Sequence, residues 1–329
     1  MPQIVSHRRS LLGLALAVPL LPARARGQAA GYPNRPVRMI VPAAAGAGMD
    51  ILGRAVAQGL SEVWGQPVVV ENRFGAGGTI GTEAIAKAPR DGYTIGVVNS
   101  SSLAIAPAII PDVSYDPLTS FAPLGLGASN DCALSVRADS RFRSVADVVA
   151  AARARPGALN WASAGTGSST HMAGELFRLT AGVDIVHVPY RGSPQAITDL
   201  LGGQVELTFN TINALLPGIR AGTLRALATT GQGRDPLLPE VPTFAEVGYP
   251  AYEASGWLGF AMPAGTPPAI VAAASAAIHQ IAQTPRFREI ISNAGMRPRA
   301  STAAEFAAFL PVEIRRWTDV VRRSGARPD

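Results

Sequence analysis

Short apolar runs alternate with amphipathic segments along most of this chain, and no other feature limits its possible folds as much. VRMIV (37–41), VVVE (68–71) and YTIGVV (93–98) have strand character. Between them stands DILGRAVAQGLSEVWG, in which Ile51, Ala55, Val56, Leu60 and Val63 recur at helical spacing. The helical TEAIAKA follows the glycine turn FGAGGTIG, and Asn99-Ser100-Ser101-Ser102 leads into LAIAPAII. Further on, SVADVVAAARAR, THMAGELFRLTAG, SPQAITDLLGG and NALLPGIRAG are helical, while LNWASA, DIVHVP, QVELTFN and LRALATT are strands. Strands separated by helices of about ten to fifteen residues make βαβ units and mostly parallel sheets.

A chain of 329 residues exceeds one ordinary domain. A seam near residues 124–136 marks passage into a second sheet, and the polar, proline-rich GQGRDPLLPEVPTF (231–244) marks the return. The expected fold is α/β, with two domains, two mostly parallel sheets and a ligand cleft between them. Residues 31–128 with 237–329 would form the first domain and 129–236 the second. The last sixty or so residues read as helices without obvious chemistry. Ligands of open α/β sheets sit at the carboxyl ends of strands, where loops feed helix N-termini.

Residues 1–30 stand apart as an export signal. His7-Arg8-Arg9-Ser10 precedes the apolar LLGLALAVPLLPA, and Ala23-Arg24-Ala25 or Gly27-Gln28-Ala29 supplies a cleavage site. The Arg8-Arg9 pair fits a twin-arginine signal, and an ordinary secretory signal is the alternative. The apolar run, broken by Pro19 and Pro22, is too short to span a membrane comfortably. Either route implies export, and no other segment has the character of a membrane span.

Removing residues 1–25 takes away Arg8, Arg9 and Arg24, leaving 26 basic against 23 acidic residues, a charge of +3. Arginines are not interleaved with aromatics as a nucleic-acid face requires, so no nucleic-acid partner is expected. Mild positive charge suits small anions. Cys132 is the one cysteine, which excludes an intramolecular disulfide and predicts a buried, inert thiol. His171, His187 and His279 fall in three separate elements with no ligand spacing, so no metal is expected, nor any cofactor.

Chemistry concentrates in two glycine loops, AAAGAGMD (43–50) and SAGTGSSTH (163–171), each after a strand and before a helix. A hydrolase would need an activated serine at Ser168 or Ser169. G-x-S-x-G is absent, and Ser168, His171 and Glu175 form a row along one helix that cannot fold back into a relay. A phosphate loop would need a lysine, and the lone Lys87 is outside any such pattern. Gly46-x-Gly48, with Glu71 about twenty residues on, leaves a weak dinucleotide alternative. The remaining chemistry is an anion cradle, in which backbone N–H groups and the positive helix end attract a carboxylate. Ala43, Ala44, Gly46, Ala47, Gly48 and Asp50 would form one half. Ser163, Gly165, Thr166, Gly167, Ser168, Ser169, Thr170 and His171 would form the other. Plain tight βα connections with capped helices are the bland alternative.

RPVRMIVPAAAGAGMDILGRAVAQ, VVVENRFGAGGTIGTEAIAKAPRDGYTI, LNWASAGTGSSTHMAGELF, VDIVHVPYRGSPQAITDLLGGQVELTF, LRALATT and FAMPAGTP, in this order, resemble the tripartite tricarboxylate transporter substrate-binding proteins, the Bug receptors. The resemblance implies a periplasmic Venus-flytrap receptor, expected as a monomer, that binds small carboxylates. It would deliver them to the large and small membrane subunits of a permease. An orphan receptor serving a sensor kinase is the neighbouring possibility. The resemblance also implies that the two βα loops grip the ligand carboxylate.

Departures from the family pattern bear on the ligand. Ala43 stands where the family has an aromatic residue, and Ala47 replaces a glycine. Asn210 stands where an aspartate is frequent, so no carboxylate there meets a ligand ammonium. The expected ligand is therefore a di- or monocarboxylate, aromatic acids included, and not an amino acid. Leu103 replaces a frequent histidine near Ser101 and is expected to make that wall more apolar. Arg191, after Val188-Pro189-Tyr190, is either a carboxylate partner or a solvated arginine at the start of a helix.

Overall fold

The computed structural model describes residues 31–110 and 112–327. The proposed leader, residues 1–30, lies outside them. One sheet has six strands in the order β11-β4-β10-β3-β1-β2. They are β1 (Val37–Val41), β2 (Val68–Asn72), β3 (Thr94–Asn99), β4 (Phe121–Asn130), β10 (Gly256–Pro263) and β11 (Arg297–Pro298). The other has five, in the order β7-β6-β8-β5-β9: β5 (Cys132–Arg137), β6 (Asn160–Ser163), β7 (Val186–Pro189), β8 (Leu207–Thr211) and β9 (Leu224–Thr229).

Helical crossovers return the chain to the same end of a sheet and so produce parallel neighbours. In the first sheet α1 (Gly48–Trp64) and α2 (Thr79–Ala86) do this, and β1 pairs parallel with both β2 and β3. Past α3 (Ala106–Ile109) and α4 (Val145–Ala154), α5 (Ser169–Ala181) and α6 (Ser193–Leu201) do the same in the second, and β6 pairs parallel with β7 and β8. The strands at the inter-sheet crossings run the other way. β10 is antiparallel to β3 and β4, and β5 is antiparallel to β8 and β9. Each sheet is therefore mixed rather than mostly parallel, because a strand that arrives from the other sheet has no crossover helix to set its direction.

The first crossing is a single residue. β4 ends at Asn130, β5 begins at Cys132, and Asp131 joins them. The return, from Thr230 to Ser255, is pinned beside it. Cys132 N–H donates to Thr230 Oγ1 (2.9 Å) and Thr230 N–H to the Cys132 carbonyl (2.9 Å). Ala254 N–H adds a bond to the Thr230 carbonyl at 3.1 Å. Arg297 ties the same point, with Nη2 2.9 Å from Asp131 Oδ2 and donating to the Gly233 carbonyl at 2.7 Å. Burial pushes the Asp131 carboxyl above the usual carboxylate range, and Arg297 and Ser255 only partly offset it. Cys132 is fully buried, which pushes its thiol pKa far up.

The C-terminal segments are α8 (Pro268–Gln283), α9 (Pro285–Asn293) and α10 (Ala303–Ser324), with the short β11 between the last two. α10 spans both sheets, packing on β4 and on α5. Its buried Glu313 accepts from the indole N–H groups of Trp257 (3.0 Å) and Trp317 (3.1 Å), and Arg178 of α5 donates to the Ser324 carbonyl (2.7 Å). β10, unmarked in the sequence reading, is buried at every position. A strand covered on both faces shows no period-two alternation.

Candidate functional site

The first loop joins β1 to α1. Ala44 to Ala47 are exposed, whereas Asp50, one turn into the helix, is buried. Its carboxylate folds back on the loop: Gly46 N–H donates to Oδ2 (2.8 Å), Arg54 Nε to Oδ2 (2.9 Å) and Asn72 Nδ2 to Oδ1 (2.8 Å). Asn72 also donates to the Ala43 carbonyl (3.0 Å). Burial works to raise the Asp50 pKa, but the donors Arg54, Gly46 and Asn72 outweigh it and hold the group ionised below the usual range. Asp50 is thus a brace that shapes the loop, not a ligand-facing acid, and Asn72 is a partner that the sequence did not single out. Ala47 caps α1 with no side-chain acceptor, so the first amides of a 17-residue helix are left to an acceptor from outside. Asp50→Asn keeps the size but removes the charge and one acceptor. We expect about 1–2 kcal/mol lower stability and about tenfold weaker ligand binding, read by chemical denaturation and calorimetry. Unchanged binding with lowered stability would detach the loop from the site.

The second loop joins β6 to α5. Ser168 is the N-cap, accepting from His171 N–H (3.1 Å) and donating through Oγ to the Gly165 carbonyl (2.6 Å). Thr170 Oγ1 accepts from Ala164 N–H (2.9 Å) and lies 2.8 Å from Ser168 Oγ. Gly165 N–H donates to Ser163 Oγ (3.1 Å), which is 2.7 Å from His187 Nε2. Ser163 thus joins the Gly165 amide to the His187 ring, and the His187 tautomer sets which of the two donates in that second bond. Burial holds His187 neutral, lowering its pKa to about 3, with the nearby His171 ring adding to the effect. Thr166 sits half-buried at the tip of the loop.

His171 and His187, separated in sequence, stack with centroids 4.0 Å apart, and Trp161 lies 4.4 Å from His187. His171 Nδ1 accepts from Gly167 N–H (3.2 Å), which leaves Nε2 facing Glu175 Oε1 at 3.7 Å. This arrangement positions the loop. The Ser168 hydroxyl is spent on Gly165, and the His171 nitrogen nearest the loop is spent on Gly167. Among the described residues no group of three or more His, Cys, Asp or Glu could hold a metal ion.

The two halves meet. Ser169 N–H, at the start of α5, donates to Ser101 Oγ from the first-sheet side at 3.2 Å. Gly48, which opens α1, lies against Met296 and beside Asn213, in α7 (Ile212–Arg220) of the second sheet. Leu103 is buried in the core, so it does not add an apolar wall to the cleft as the sequence implied. Asn210, also fully buried, lies beneath the wall. Its Oδ1 accepts from Ser193 Oγ (2.6 Å) and Thr211 N–H (3.0 Å), and its Nδ2 has no partner. Arg191 is exposed without an ion pair among the described residues and, with Pro189, Tyr190 and Gln195, lines an open hollow. No described helix is long and apolar enough to cross a membrane.

This arrangement has close relatives. Residues 52–326 match the family described as "Tripartite tricarboxylate transporter family receptor". Protein BugT of Bordetella pertussis is 39% identical over 297 residues, which is 90% of this chain and 91% of the relative. Three solved structures superpose over most of this chain. R. palustris Rpa4515 with adipate has a TM-score of 0.82 at 34% identity, covering 91% of this chain and 100% of that one. The periplasmic binding protein BugD has a TM-score of 0.78 at 32%, with 91% and 100% covered. MatC from Rhodopseudomonas palustris with bound malate has a TM-score of 0.77 at 31%, with 88% and 100% covered. The chain belongs to the tripartite tricarboxylate transporter receptor family of periplasmic solute-binding proteins.

Proposed function

We propose that this receptor closes on a small carboxylate between its two βα loops and presents it to the large and small membrane subunits of a permease, without chemical turnover. The observation that carries the proposal is the pairing of the two loops. An uncapped helix start at Ala47–Gly48 and a hydrogen-bonded hydroxyl cradle at 163–170 lie on opposite sheets, bridged by Ser101 and Ser169. The chain up to about residue 128 and from about residue 237 builds one lobe and the stretch between them the other, with the hinge near Asp131 and within the 230–255 return. Residues 1–30 direct export by the twin-arginine or the general secretory route.

The ligand class rests on two departures: Asn210 offers no carboxylate to a ligand ammonium, and Ala43 leaves the apolar part of the pocket without an aromatic wall. The dicarboxylates held by Rpa4515 and MatC support acids without an ammonium. Melting the protein against adipate, malate, succinate, benzoate, aspartate and glutamate tests this. At a hundredfold excess over Kd, a bound acid adds about 2.7 kcal/mol, or about 5 °C in Tm. Stabilisation by an ammonium-free acid is the expected result. Tight binding of aspartate or glutamate alone would overturn the ligand class, and no shift with any acid would overturn the receptor function.

A further inference from the structure

We infer that Phe74 is a mobile aromatic cover that closes over the apolar part of the bound acid and sets which acids the receptor prefers. Phe74 is 69% exposed, and among the described residues it is the most exposed of the large apolar side chains. Leaving a phenyl ring in water forgoes most of the benefit of burying it. A single exposed ring is ordinary on a protein surface, so its meaning lies in where it stands.

Its position names the occupant. β2 runs parallel to β1, so the residues after Asn72 emerge at the same sheet edge as the 42–47 loop. The segment is tied to that loop: Arg73 N–H donates to the Val41 carbonyl (2.9 Å), and Asn72 Nδ2 reaches the Ala43 carbonyl. The turn at Ala76–Gly78 packs on the turn at Ser101–Ile105, whose first residue bridges to Ser169. Phe74 therefore stands on a loop that touches both cleft-forming segments of its half. Two residues before it, Asn72 is bonded to Ala43, where the chain carries only a methyl group.

Three glycines shape the chain around the ring. Gly75, Gly77 and Gly78 have φ of 132°, 65° and 97°, in the region that glycine alone enters without strain. Both ends are held, by Asn72 and Arg73 on one side and by Gly81 packed against Pro42 on the other. A tethered glycine loop with an unburied aromatic ring can cover a six-carbon chain or an aryl ring, and it has nothing to cover on a short acid.

This inference rests on the carboxylate-receptor function. Its test is calorimetric titration of the wild type, Phe74→Ala and Phe74→Tyr with adipate, benzoate and succinate. Phe74→Ala is expected to weaken adipate or benzoate about tenfold and succinate less than twofold, with Tm unchanged. Phe74→Tyr should restore the affinity, and amides 73–79 of the wild type should gain hydrogen-exchange protection when adipate or benzoate saturates it. Equal affinities in wild type and Phe74→Ala, or an equal loss for long and short acids, would overturn the cover and leave the receptor function standing. Wild-type binding of succinate alone would also overturn the cover. Failure of the wild type to bind any of the three would overturn both.

Discussion

Gly165→Ala is expected to raise the Kd for any bound acid by about a hundredfold, equivalent to about 2.7 kcal/mol, and to cost about 1–3 kcal/mol of stability. Gly165 has φ of 120°, and a Cβ there would lie 2.8 Å from the Tyr190 carbonyl oxygen. That oxygen cannot simply retreat, because Tyr190 N–H is bonded to the Ser163 carbonyl (3.2 Å). The 163–168 loop must move instead. Gly165 also donates to Ser163 and accepts from Ser168, so the displacement reaches the Ser163–His187 hydrogen bond and the α5 cap together. Gly182→Ala is the control: its φ is 59°, but nothing lies within 4 Å of its Cβ, at the far end of α5. The control should lose about 1 kcal/mol and bind normally. If Gly165→Ala binds like the wild type, the second loop does not grip the ligand.

Acid should destabilise the protein through His187, beginning well above the range of ordinary carboxylates. The native ring is neutral down to about pH 3, because burial against Trp161 and His171 disfavours its charged form. In the unfolded chain the same ring protonates near pH 6.5. Between these values the unfolded state binds a proton that the native state does not. Stability is therefore fully present above about pH 6.5 and falls by up to about 1.4 kcal/mol for each unit below it, a total of about 3–5 kcal/mol at pH 3. Urea denaturation from pH 7.5 to 5 should show this slope in the wild type and a flatter one in His187→Gln, which retains a hydrogen-bonding group for Ser163 but no titrating ring. Asp50 and Glu175, both held below the usual carboxylate range, take up protons only further into acid, and Asp131, held above that range, titrates alike in both proteins. The same slope in both proteins would place the titration elsewhere.

Much of the architecture was legible because periodicity is a local property. Residues 51–63 repeat at helical spacing, and α1 covers them; LRALATT reads as a strand, and β9 covers it. The glycine loops at 43–48 and 163–168 could be placed at strand ends for the same reason. β10 could not be read, since burial on both faces removes the alternation that marks a strand. The mixed strand directions were also hidden, because nothing in a strand's own residues records whether a helix or a direct crossing delivers it.

Within the site the same division holds. The residue types suited to holding an anion, and the absence of a nucleophile elbow or phosphate loop, were fixed by the order of residues along the chain. Tertiary packing alone decided that Asp50 turns inward as a brace, that Asn210 lies under the wall, and that Leu103 joins the core. It alone stacked His171 on His187 and set Ser101 against Ser169. The physical reason is range: capping, turns and helical spacing act within a few residues, whereas burial and the pairing of polar groups depend on what distant segments bring to the same place.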